Sequence, residues 1–184
     1  MTDIRILIPL AQGVEEMEAV IITNVLRRAG ATVALRGLDE ALVRASYDVL
    51  LGHEGVLSGE ENADAIVLPG GAEGARRLAE DQRVIGLLRR FEEEDRWIAA
   101  ICAAPTVLAA AGVCRGKRMT SHPSVRDGVE PYAGSYEEVP VCVDPKLVTG
   151  QGPGVTFEFA LELVSLLISP DTAAKVRAPM MFAP

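Results

Sequence analysis

The sequence predicts an α/β fold, a mostly parallel sheet with helices on both faces, in a single domain over residues 1–184. Two stretches, residues 65–68 and 97–101, are short, uncharged and apolar, the pattern of strands buried on both faces. Longer stretches with helical character, residues 14–29 and 84–94, alternate with them, as β-α-β units require. A chain of 184 residues, 49% of them hydrophobic, is also long enough to cover a sheet on two sides.

Residues 4–9 form the first strand, Ala11-Gln12-Gly13 a tight connection, and residues 14–29 a helix closed by Gly30. Glu15, Glu16 and Glu18 lie in its first turns and Arg27 and Arg28 in its last, each where the macrodipole favours the charge. Glu18 differs from its neighbours. Val14, Ile21 and Val25 stand at −4, +3 and +7 from it, so its carboxyl lies on an apolar row. Periodicity alone leaves two readings: a buried acid with a raised pKa that donates a proton, or a helix-start acid that leans into water.

Residues 32–35 read as the second strand, and 41–45 with 48–51 as a short hairpin-like excursion. His53, between Gly52 and Glu54, reads as a surface loop residue. The strand at 65–68 runs into Pro69-Gly70-Gly71-Ala72-Glu73-Gly74, which imitates a dinucleotide fingerprint. Pro69 takes the place of its first glycine, and the segment lies mid-chain. Backbone amides approaching a small oxyanion are the better use of such glycines.

The strand at 97–101 ends at Cys102, and Pro105 then opens a helix that Gly112 closes. Cys102 is left in the turn between them, flanked by Ala100 and Ala104, the small residues a nucleophile elbow needs. A helix N-terminus stabilises a thiolate, which predicts a thiol more acidic than free cysteine. The alternative is a buried, inert cysteine. Further on, 118–120 is a short strand and Ser121-His122-Pro123 a turn. His122 is either a solvent-facing loop residue or the proton partner of a cysteine. Residues 139–143 and 147–149 pair through Asp144-Pro145, with Cys142 as a packing residue. Gly150-Gln151-Gly152-Pro153-Gly154 imitates a phosphate loop, but Pro153 removes an amide and no Gly-Lys-Ser/Thr follows, so it reads as the turn before a helix at 155–168. Residues 171–176 and then Ala178-Pro179-Met180-Met181-Phe182 end the chain in an apolar tail that needs cover from its own domain or a second subunit.

Composition excludes several classes. The net charge of −8, with no dense Lys/Arg stretch, argues against nucleic acid. No apolar run approaches the ~20 residues that span a bilayer, so no membrane is expected. Met1-Thr2-Asp3-Ile4 places an acid where a signal peptide carries positive charge, which predicts a cytoplasmic protein. The odd cysteines, 102, 114 and 142, suit reduced thiols. Without a CxxC, and with His53 and His122 far apart, no metal site is expected.

Ala-Ile-Cys-Ala-Ala-Pro at 100–105 occurs together with Ile4-Arg5-Ile6-Leu7, Glu15-Glu16-Met17-Glu18, Leu68-Pro69-Gly70-Gly71, Gly152-Pro153-Gly154 and Phe157-Glu158-Phe159-Ala160. In this order the motifs resemble the DJ-1/PfpI superfamily over the whole chain, its bacterial members especially. The resemblance implies a flavodoxin-like sandwich, no cofactor, and a homodimer formed through the Met17 helix. It makes Cys102 the reactive residue and Glu18 the acid beside it. Gly70 and Gly71 match the turn whose amide, with that of Ala103, faces the sulfur, and His122 matches the histidine near the cysteine. Three activities follow as expectations. The first is cofactor-free turnover of a reactive dicarbonyl such as methylglyoxal, or deglycation of an early-glycated protein. The second is redox sensing through oxidation of Cys102, coupled to chaperoning, and the third is a PfpI-type peptidase. Tyr47 departs from the pattern, because the family usually has an arginine there that serves the site and the dimer contact.

Overall fold

The computed structural model describes residues 4–182. The acidic start at Met1-Thr2-Asp3 lies outside them. The chain enters as β1 (Arg5–Leu10), continues as α1 (Glu16–Arg28) and returns as β2 (Thr32–Gly37), parallel to β1. The Glu15 carboxylate caps α1 by accepting the Met17 amide, and Gly30 follows it at φ 86°, a conformation glycine adopts without strain. The excursion forms β3 (Val43–Arg44) and β4 (Leu50–Leu51), an antiparallel pair outside the main sheet.

Next come β5 (Ala65–Leu68), α2 (Ala72–Glu80), α3 (Gln82–Glu93), β6 (Trp97–Ile101) and α4 (Pro105–Ala111). Pro105 lies in the first turn of α4 and Gly112 caps it in the left-handed region at φ 77°. A second small pair, β7 (Arg118–Met119) with β8 (Ser135–Tyr136), brackets the one-turn helix α5 (Arg126–Val129). The hairpin β9 (Val141–Asp144) and β10 (Leu147–Gly150) precedes α6 (Thr156–Leu167) and α7 (Pro170–Arg177).

The central sheet has the order β2-β1-β5-β6-β10-β9, parallel throughout except for the β10–β9 pair. Alternate residues of one strand serve opposite cores. Ile66, Leu68, Ile98 and Ala100 face α2, α3 and α4, whereas Ala65, Val67, Ala99 and Ile101 face α1 and α6. The result is the flavodoxin-like α/β sandwich the sequence predicts. Strand order reverses between β1 and β5, which opens a crevice at their carboxyl ends.

Helix α2, like the short elements α5 and β8, is not expected from the sequence pattern. Its buried apolar side chains are only Ala75 and Leu78, set among Glu73, Arg76, Arg77 and Glu80. The tail behaves as one of its two expectations: the Phe182 ring lies 5.1 Å from that of Phe157, in its own domain, while Met181 stays exposed. No helix among the described residues is long and apolar enough to cross a membrane.

Candidate active site at the Cys102 turn

Cys102 sits between β6 and α4 at φ 63°, in the left-handed region that costs a non-glycine residue energy. Two other segments hold it there. Its amide donates to the Gly150 carbonyl at the end of β10, and its carbonyl accepts the His122 amide, both at 2.9 Å. Ala100 and Ala104 are fully buried beside it, so the small residues expected of an elbow are needed for packing as well.

The sulfur is approached by the amides of Gly71 and Ala103 and by the Glu18 carboxyl. Gly71 caps α2 at φ 87°, and a Cβ there would lie 2.3 Å from the Gly13 carbonyl oxygen. Gly70 does a different job from the one expected of it. Its amide donates to Glu18 Oε2 at 2.7 Å, and a Cβ on it would fall 2.6 Å from Cys102 Cβ and 2.9 Å from Glu18 Oε2. The two glycines thus divide the work: Gly71 faces the thiol, and Gly70 holds the acid and leaves room for both groups.

Glu18 is fully buried, so the apolar row wins over the solvent-facing reading. Its second oxygen, Oε1, is buried and among the described residues has no hydrogen-bond partner, and an acceptor left so is the one most cheaply neutralised by a proton. Burial raises the Glu18 carboxyl to about 7, and Glu15 adds to this against the Gly70 amide and the Cys102 contact. Burial also pushes the Cys102 thiol up to about 12, and the Glu18 charge adds to it against the amides of Gly71 and Ala103. The acidity expected from the helix N-terminus is therefore not found, because burial and a neighbouring carboxylate outweigh two amides. Two buried anions in contact cannot both form, so the pair gives up one proton near neutrality and keeps the other. A thiolate at neutral pH then requires that Glu18 hold the remaining proton.

His122 is tied to Cys102 through its backbone. Its Nδ1 lies 2.7 Å from Ser124 Oγ and accepts the Ser124 amide at 3.2 Å, which assigns the proton to Nε2. Among the described residues no hydrogen bond joins the imidazole to the thiol or to Glu18. Glu16 lies in the first turn of α1 as expected, and its carboxylate also accepts the Tyr47 amide at 3.1 and 3.3 Å, which anchors the excursion to the helix. A contact across 31 residues leaves no mark in helical periodicity.

The DJ-1/PfpI family profile matches residues 4–166. The chain belongs to the DJ-1/PfpI family. It is 40% identical over 184 residues to the Parkinson disease protein 7 homolog of Danio rerio, with 96% of each chain covered. It is 32% identical over 180 residues to the glutathione-independent glyoxalase DJR-1.2 of Caenorhabditis elegans, covering 97% of this chain and 95% of that one. The crystal structure of Drosophila melanogaster DJ-1beta matches with a TM-score of 0.96 over 100% of both chains, at 38% identity.

Within this DJ-1/PfpI chain Tyr47 turns its side chain into solvent, 80% exposed, and engages Glu16 by its amide alone. Cys114 and Cys142 are buried, and burial raises both thiols, Cys114 to about 12. His53 is more than a surface loop residue: its ring nitrogens lie 2.9 Å from the Gly55 carbonyl and 3.1 Å from that of Ala41, so it ties together the two ends of the excursion. Among the described residues no group of three His, Cys, Asp or Glu side chains is placed to hold a metal.

Proposed function

We propose that the protein is a cofactor-independent cysteine enzyme acting on reactive dicarbonyls, with Cys102 as nucleophile and Glu18 as proton carrier. One observation carries this reading: a buried carboxyl that titrates near neutrality faces a thiol whose charge two backbone amides favour. The Cys102 thiolate adds to the aldehyde carbon of methylglyoxal, and Glu18 gives its proton to the carbonyl oxygen, forming a hemithioacetal. Glu18, now a carboxylate, takes the proton from that carbon and returns it at the neighbouring carbon, while the hydroxyl proton on the first carbon passes to the ketone oxygen of the second. The first carbon is oxidised to a thioester and the second reduced to an alcohol, so no outside electron acceptor is needed. Water then releases lactate and restores the thiol. Deglycation of an early-glycated protein would use the same addition and release an amine. The amides of Gly71 and Ala103 stabilise the charge on sulfur, and His122 is auxiliary because Ser124 engages its imidazole. The similarity to a relative named as a glutathione-independent glyoxalase supports the class.

A redox-sensing reading is favoured by the same amides, which would also hold the oxygens of a Cys102 sulfinate. The peptidase reading ranks last, because Glu18 carrying a proton does not orient a histidine base. We further propose a single-domain homodimer closed over the exposed Met17 and Val20 of α1 and the exposed Val49 and Leu50 of the excursion, in a reducing cytoplasm that keeps three free cysteines. The test is lactate formation from methylglyoxal by purified protein beside Cys102→Ala. Turnover that disappears in the variant is the expected result. An inactive parent, or an equally active variant, overturns the enzyme reading.

A further inference from the structure

The strained Cys102 turn is held by partners that meet at one place, the end of β10. Gly150 supplies the carbonyl that takes the Cys102 amide. The residue before it, Thr149, is fully buried between its strand neighbours Ala100 and Cys142, a setting that would suit valine. Its hydroxyl accepts the Thr120 amide at 2.9 Å, a bond between two segments 29 residues apart. Residues 120–122 have no regular structure, and this segment delivers the His122 amide to the Cys102 carbonyl. The Thr120 hydroxyl is itself buried and, among the described residues, makes no hydrogen bond that would anchor the segment. The His122–Ser124 contacts are local to the turn, and the ties to a distant segment, from the Tyr136 hydroxyl to the Ser121 carbonyl at 3.2 Å and to Ser121 Oγ at 3.1 Å, are longer than the Thr149 bond and only partly buried.

We infer that Thr149 is a positioning residue for the nucleophile: through Thr120 it fixes the segment whose His122 amide holds Cys102 in the left-handed turn facing Glu18. This rests on Cys102 being the reacting group of the proposed function. A residue in that conformation persists only where its surroundings over-determine it. Valine would fill the same space but leave the Thr120 amide without its buried acceptor. The turn would then relax, and the sulfur would lose its fixed relation to Glu18.

Iodoacetamide labelling of Cys102, followed by peptide mass from pH 5.5 to 9.5, tests this without any substrate. In the parent the rate should rise with an inflection near pH 7, where the Glu18–Cys102 pair loses its first proton, and Glu18→Gln should remove that inflection. In the parent background Glu18→Gln should change the pH 7.5 rate by about tenfold, and in Thr149→Val by no more than about twofold, the loss of coupling a double-mutant cycle reports. Thr149→Ser keeps the oxygen and should restore the parent profile. Full coupling in folded Thr149→Val overturns the proposal, as does a Thr149→Ser profile that matches Thr149→Val. Loss of the folded state in both Thr149→Val and Thr149→Ala also overturns it, by making Thr149 a general stability residue. Absence of methylglyoxal turnover would count against the enzyme reading while leaving this labelling result intact.

Discussion

Cys102 and Cys114 occupy similar backbone: both are left-handed, at φ 63° and 60°, and burial pushes both thiols up to about 12. What faces each sulfur is different. Cys102 meets two amides and a carboxyl able to exchange a proton with it. At Cys114 the nearby carboxylate, Glu92, is spent on the backbone, accepting the Cys114 amide at 2.5 Å, and no hydrogen bond reaches its thiol among the described residues. A left-handed turn and a buried thiol therefore do not make a reactive cysteine; a partner that can take or give the proton does.

The largest expected effect separates the two residues by turnover. Cys102→Ala should lose methylglyoxal turnover by at least ~10³-fold, as removal of a covalent nucleophile does, while Cys114→Ala stays within about twofold. Comparable losses in both would break the comparison, and lactate assays on folded variants decide it. A smaller effect is read in stability. Glu18 has a folded value of about 7 against an ordinary 4.5, so its stabilising share is complete below 4.5 and is lost as pH rises through 7. That shift corresponds to roughly 3 kcal/mol. Urea unfolding at pH 4.5 and 8 should show the parent losing about that much relative to Glu18→Gln, with a parallel pH dependence in the two proteins as the contrary result. The smallest effect is kinetic: substoichiometric iodoacetamide near pH 7.5 should label Cys102 at least about tenfold faster than Cys114 or Cys142. Preferential labelling of Cys114 would show that exposure or local opening outweighs the proton partner.

Much of the site is legible in the sequence because it is local. The apolar run at 97–101, Pro105 and Gly112 lie within one short stretch, 97–112, and they place Cys102 in its turn. The apolar row under Glu18 is local too, but it leaves the buried and solvent-facing readings even, and the family resemblance is what favours the buried acid. What escapes is set by contacts between distant segments. Gly70 looks like Gly71 until the fold brings Glu18 against its amide, and α2 is hidden because its buried face is only Gly74, Ala75 and Leu78, with Gly74 pressed against Gly13 and Val14. The raised thiol is not legible because a helix N-terminus can be read along the chain, whereas burial, the larger effect, and the opposing Glu18 charge are both set by how distant segments pack. His122 is placed near the turn by its position, but the Ser124 bond to its ring depends on the geometry of the 122–125 turn.

The proton held between Glu18 and Cys102 is tested most directly by Glu18→Gln, with turnover and oxidation measured on one preparation. Glutamine keeps the length and an N–H donor but carries no exchangeable acid. Lactate formation should fall by about 10² to 10⁴, the range for a lost general acid/base, while peroxide still adds two oxygens to Cys102 by peptide mass. Turnover equal to the parent's would contradict the account, because it would show that the proton travels by another group.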